Sequence, residues 1–213
     1  MASKKVKVKL TRAEAKAASR EALVQSAIAL IPECGLDVSL DDICAHAGYT
    51  RGAFYLHFKN REELTLEIMN RAGEKFLSAL FGFNAQGDSK QAKMPKDLTE
   101  LSNRFLASLA SGDYPISKNG MIRPHQLLDS CVRSDAIHDQ YQNLAVGAAE
   151  RLAMMIGLGQ QTGSLRADIP SKDLSEVLVA LVVGIHTLYD LDFPFDFSES
   201  VPSMLKLLQP KSK

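Results

Sequence analysis

The chain has 213 residues, 46% of them hydrophobic, enough apolar surface for one packed domain or for a small domain joined to a larger one. Lysine plus arginine equals aspartate plus glutamate, 25 against 25, so bulk charge gives no argument for a nucleic acid and excludes none. Three cysteines, Cys34, Cys44 and Cys131, stand far apart without a CxxC, which argues against a disulfide framework or a zinc finger and for a reduced, cytoplasmic protein.

The chain opens with Lys4, Lys5, Lys7, Lys9, Arg12, Lys16 and Arg20 against Glu14 alone, a basic arm leading into a balanced body. Residues 5–10 alternate lysine with apolar side chains but have no partner run, so they read as an extended arm. No apolar stretch follows the arm, and no secretory signal is expected. From about Ala13 to Pro32, Leu23, Ala27, Leu30 and Ile31 share one helical face, and Gly35 follows where a left-handed cap is expected. Ser39 then caps a second, two-turn helix carrying Leu40, Ile43, Cys44 and Ala47 and ending at Gly48. Thr50 caps a third, with Phe54 and Phe58 four apart. Asn60 and Glu63 form a capping-box-like start to a fourth, running through Leu64, Ile68, Phe76, Leu77 and Leu80 to the neighbourhood of Phe83.

A polar stretch from Asn84 to Lys96 reads as a loop. Beyond it, Leu98 to Leu109 predicts a helix closed by Gly112, and a turn around Tyr114, Pro115 and Gly120 precedes a short helix from Pro124 to Val132. Asp135 to Gln160 predicts a long helix. Ser171 caps another, starting at Lys172, that is apolar on nearly all sides from Val177 to Leu188. Ser198 to Leu208 predicts a last one. The fold class expected is all-α, an N-terminal three-helix helix-turn-helix domain plus a larger C-terminal helical bundle. The apolar run Val177 to Ile185 is well short of the ~18 residues of a membrane span.

Two short helices separated by Gly48-Tyr49-Thr50 match the helix-turn-helix, whose second helix enters the major groove of DNA while the first braces it. The side opposite Phe54 and Phe58 carries Thr50, Arg51, Ala53, Tyr55 and His57. Arginine can pair bidentately with guanine, and alanine or a threonine methyl can touch a thymine methyl. Tyr55, His57 and Lys59 suit phosphate oxygens. Gly52 costs a helix ~1 kcal/mol but allows close approach of the backbone to DNA.

The stretch VSLDDICAHAGYTRGAFYLHFKNREEL, Val38 to Leu64, resembles the signature of the TetR/AcrR family of bacterial transcriptional regulators nearly position by position. With the first helix the resemblance covers roughly a third of the chain. It implies a homodimer whose three-helix DNA-binding domain, residues 1–60, is joined through a helix of about residues 61–83 to a ligand-binding and dimerisation domain, residues 61–213. Carried over by position, Thr50, Arg51, Ala53 and Tyr55 would lie at the DNA, with His57 and Lys59 on phosphates, and Ser39 touching the DNA backbone. Gly52, Phe58 and Leu64 match the pattern's glycine and packing positions. Tyr49 and Leu56 depart from it, so no operator sequence can be transferred.

The second half offers mainly composition. The run around Val177 to Ile185, with Ala180 and Gly184 four apart, is either central in its own subunit or buried against a second, and the resemblance implies a four-helix dimer bundle. A pocket for a partly apolar effector is expected among the middle helices, with Phe105, Leu109, Leu127, Cys131, Tyr141, Met154, His186 and Tyr189 as candidates. No metal is expected, since His125, Cys131 and His138 do not share a helical face. Gly157 to Gly163, GLGQQTG, follows a helix and reads as its end, not as a dinucleotide loop. No catalytic cluster or cofactor motif stands out. The expectation is therefore a DNA-binding regulator, not an enzyme, needing no cofactor and no membrane: a repressor released from a palindromic operator by a small molecule. A helical small-molecule binder or enzyme is the alternative, and activation instead of repression stays open.

Overall fold

A computed structural model of the chain describes residues 11–82, 94–111 and 122–210. The basic arm of residues 1–10, most of the expected 84–96 loop, and the turn at Gly112 to Gly120 lie outside the described residues. The described residues form α1 (Arg12–Cys34), α2 (Leu40–Ala47), α3 (Arg51–Tyr55), α4 (Arg61–Phe81), α5 (Leu98–Ser111), α6 (Pro124–Arg133), α7 (Asp135–Gln161), α8 (Ser171–Asp190) and α9 (Phe197–Leu205), the last tightening into a 3-10 turn at Lys206–Leu208. The fold is all-α: a helix-turn-helix head on a larger helical bundle.

Each start has a local cause. A capping box opens α1, where Thr11 Oγ1 accepts from the Glu14 N–H and the Glu14 carboxylate accepts from the Thr11 N–H at 2.7 Å. Ser39, Thr50 and Asn60 accept from the backbone N–H of Asp42, Ala53 and Glu63 and so start α2, α3 and α4. Gly48 and Gly82 close α2 and α4 in the left-handed conformation. Gly35 differs from the expected left-handed cap: its φ of 76° is combined with a ψ of −178°, a region open in practice to glycine alone. At α8, the Leu174 N–H bonds the Pro170 carbonyl, so Pro170 and not Ser171 stands at the cap. Asp196 caps α9, its side chain accepting from the Ser198 N–H. GLGQQTG is a helix end, with Gly163 at φ 72°.

Two hydrophobic clusters hold the molecule. The first joins Leu23, Ala27 and Ile31 of α1, Ile43 of α2, Phe54, Phe58 and the first half of α4. It also takes in Ile122, Leu127 of α6 and Ile137 of α7, so it crosses the boundary expected at residue 60. The second joins the end of α4 (Leu77, Leu80, Phe81) to α5, α7 and α8 and to Leu208. The bundle presses on α4 where Gly73 meets α7, and a Cβ there would stand 2.4 Å from Leu144.

Ion pairs tie the parts at the edges of these clusters. Asp37, between α1 and α2, accepts from Arg61 of α4 at 2.9 Å and pairs with Arg133 of α6 at 2.7 Å. Asp190, at the end of α8, is buried; its carboxylate accepts from Arg123 Nε at 2.8 Å and from His125 Nδ1 at 2.5 Å, fastening α6 to α8. Burial alone would raise the Asp190 carboxyl, but hydrogen bonds from His125 and Arg123 outweigh it and hold it below the usual carboxylate range.

Removing one partner of a buried ion pair leaves the other uncompensated. Asp190→Ala is expected to cost ~3 kcal/mol in urea unfolding at pH 7, the low end for such a pair because Arg123 keeps some contact with water. A carboxyl depressed in the folded state stabilises above its unfolded pKa and loses this as pH falls through the folded one. The gap between wild type and variant should therefore be complete above about pH 5 and close progressively below about pH 4. A gap independent of pH would show that the carboxylate charge is not what α6 and α8 share.

Candidate nucleic-acid interface and effector cavity

The head presents a polar face because its apolar one is consumed. Phe54 and Phe58 are buried in the first cluster, and the Arg20 guanidinium covers the Phe58 ring at 4.9 Å. What remains outside is Ser39, Thr50, Arg51, Gly52, Tyr55 and Lys59, all exposed, with Ala53 half-buried. A Cβ on Gly52 would meet the Thr50 hydroxyl at 3.7 Å, so among the described residues no neighbour requires glycine there. Tyr49 and Leu56, the two departures from the family pattern, also stand exposed on the head.

Arg51 does not project alone. Its Nε lies 2.8 Å from Asp41 Oδ1 in the first turn of α2, and both side chains stay largely exposed. Held through Nε, the guanidinium keeps its two terminal nitrogens for another partner. Sequence reasoning missed Asp41, although its signal is present: an acid and a base at the N-terminal turns of the two helices of one helix-turn-helix.

His57 departs from the expected phosphate contact. Its Nε2 is 2.8 Å from Ser19 Oγ, whose own proton goes to the Lys16 carbonyl, so Nε2 is the donor and Nδ1 is left as an acceptor. Nδ1 is buried and has no hydrogen-bond partner. Burial, then the nearby charges of Lys16 and Arg20, lowers the His57 pKa and favours a neutral ring. A neutral ring with its one N–H turned to α1 offers phosphate nothing; His57 ties the end of the α3 segment to α1.

In the bundle, α4 to α9 enclose a cavity of about 150 Å³. Four of the expected residues line it: Phe105, Leu127, Tyr141 and His186. The other four do not. Leu109 is buried in the second cluster beyond the lining, and Cys131 packs against the cluster of the head. Met154, 66% exposed, and Tyr189 point outward from α7 and α8. Ser102 and Thr187 line the cavity and were not anticipated, as neither stands out from an ordinary helical hydroxyl in sequence. Among the described residues the lining carries no Asp, Glu, Lys or Arg. His186 is buried with its pKa lowered to about 4 by desolvation, against a smaller opposing effect of its hydrogen bond to the Val182 carbonyl. Its ring meets Phe105 edge-on at 5.1 Å.

Residues 23–68 match the model of the bacterial regulatory proteins of the tetR family. A curated relative, an uncharacterized HTH-type transcriptional regulator, YuxN of Bacillus subtilis, is 27% identical over 85 residues, 39% of this chain and 29% of the relative, so the alignment spans under a third of that protein. Among solved structures, reduced NemR of E. coli superposes with a TM-score of 0.68 at 15% identity, covering 92% of this chain and 100% of that one. The complex of SmeT with triclosan gives 0.66 at 23% identity over 92% and 93%. SmeT is described as the repressor of a multidrug efflux pump of Stenotrophomonas maltophilia. These structural likenesses show the fold, and no described helix is long and apolar enough to cross a membrane. Residues 23–68 thus carry the helix-turn-helix segment of the bacterial regulatory proteins of the tetR family, on a fold that the chain shares with SmeT and NemR.

Proposed function

We propose that the chain is a ligand-released repressor that binds a palindromic operator as a homodimer. The observation that carries this reading is the dual burial of α4: Leu64 and Ile68 lie in the cluster of the head, while Gly73, Phe76, Leu77, Leu80 and Phe81 line the cavity. A molecule filling the cavity presses on the helix that carries the head. Two recognition helices of a dimer must span ~34–36 Å to enter successive major grooves, so a conformer with another spacing loses operator affinity. Typical coupling of ~1–3 kcal/mol corresponds to a several-fold to hundredfold release.

Dimerisation is supported by the outer face of α7 and α8. Met154, Leu158 (56% exposed) and Val177 (58%) leave a wide apolar surface, and among the described residues nothing lies within 4 Å of a Cβ placed on Gly184. A second copy applying the same face would cover it. Val177→Asp is expected to shift the protein toward monomer in sedimentation and to cut operator affinity; an unchanged dimer would place the interface elsewhere.

On the head, Arg51 is proposed as the base reader and Lys59 as a phosphate contact. Selection of bound sequences from a random duplex pool should return a palindrome, and failure to enrich any sequence with folded protein would end this reading. Arg51→Ala should then relax preference at one base position at ~1–3 kcal/mol, whereas Lys59→Ala weakens all sequences alike and reduces the salt slope by about one unit. Asp41→Asn should loosen the Arg51 preference while raising affinity for random DNA, because an anionic group leaves the face. Equal losses on cognate and random DNA for Arg51→Ala and Lys59→Ala would refute the division of roles.

A further inference from the structure

We infer that the cavity takes a neutral, mostly apolar molecule that brings a hydroxyl as hydrogen-bond donor, a phenol of about one ring. The inference rests on the cavity being the effector site and names the chemistry that would fill it. Its volume, about 150 Å³, matches that of an apolar engineered cavity that binds benzene. Phe76, Phe81 and Phe105 supply aromatic surface to the wall.

The described lining offers a charge no partner. A carboxylate or an ammonium would leave water and meet no opposite charge among the described lining residues. The charged cluster on either side of the lining residue Pro124, Arg123 with His125 and Asp190, is engaged with itself: Arg123 and His125 both donate to Asp190. His186 cannot serve as a cation, since its ring stays neutral until about pH 4.

The serine and the threonine of the wall share one polarity. Ser102 Oγ donates its proton to the Thr99 carbonyl at 2.9 Å, and Thr187 Oγ1 donates to the Val183 carbonyl at 2.8 Å. His186 is hydrogen-bonded to the Val182 carbonyl. In Ser102 and Thr187 the proton is committed to the helix backbone and a lone pair is what remains to offer. Tyr141 can turn its hydroxyl either way. A wall rich in acceptors selects a donor, because an acceptor-only ligand leaves these lone pairs stripped of water and unmatched.

Calorimetric titration of the full chain at pH 7, without DNA, tests this with 4-methylphenol, toluene, benzoate and benzyltrimethylammonium. The expected result is 4-methylphenol binding about tenfold tighter than toluene, with no heat from either ion. Toluene binding as tightly as 4-methylphenol, either ion binding best, or silence from all four overturns the inference. In Ser102→Ala and in Thr187→Val the preference for 4-methylphenol should fall several-fold, and a preference intact in both removes the acceptor assignment. Because the titration contains no operator, a ligand that binds without releasing DNA would refute the repressor mechanism and leave the ligand class standing.

Discussion

A helix that must be buried twice governs the rest of the molecule. At about 1.5 Å per residue, the 21 residues of α4 run about 30 Å, and the apolar side of the helix serves one cluster with its first half and another with its second. Neither cluster closes without it. The first needs Leu64 and Ile68 to cover Phe54 and Phe58, and the second needs Leu77 and Phe81 to wall the cavity. Densely packed interiors transmit displacement instead of absorbing it, so the two ends of α4 are mechanically one object. The close approach at Gly73 and Leu144 pins that object near its middle.

Around this axis the polar contacts act at the seams. Asp37 joins α4 and α6 through Arg61 and Arg133, and Ser134 at the start of α7 donates to Glu62 at 2.5 Å. These side chains are mostly half in water, so each contributes little stability. Their effect is on registry: they fix where α6 and α7 sit against the head. The buried Asp190 does the same between α6 and α8, with a larger energetic stake because its carboxylate has no water to fall back on.

Much of the head was legible in the sequence because its determinants are local. Ser39, Thr50 and Asn60 are capping residues by type, Gly48 marks the turn, and the spacing of Phe54 and Phe58 assigns one side to the interior. The capping box of Thr11 and Glu14 was equally local and was passed over. What escaped depends on distant partners. His57 looks like an exposed donor until Ser19, 38 residues earlier, takes its N–H. Cys131 looks like a pocket residue until α6 is seen to lie against the head. The long helices α7 and α8 are apolar on more than one side, and periodicity cannot tell which side meets the cavity and which faces outward; Met154 and Tyr189, read as pocket candidates, stand on the outward side. The acceptor character of Ser102 and Thr187 follows from backbone bonds that any helical hydroxyl might or might not make.

The first cluster has a practical consequence for anyone recombining regulators of this kind. Ile122, Leu127 and Ile137 come from the far half of the chain yet belong to the interior of the head. A chimera cut at residue 60 would graft a reading head onto a foreign body whose side chains were never selected to complete that interior. The hybrid would inherit a hole, and its specificity would drift with the shape of whatever filled it. Portable recognition in this scaffold has to travel with α6 and the first turn of α7.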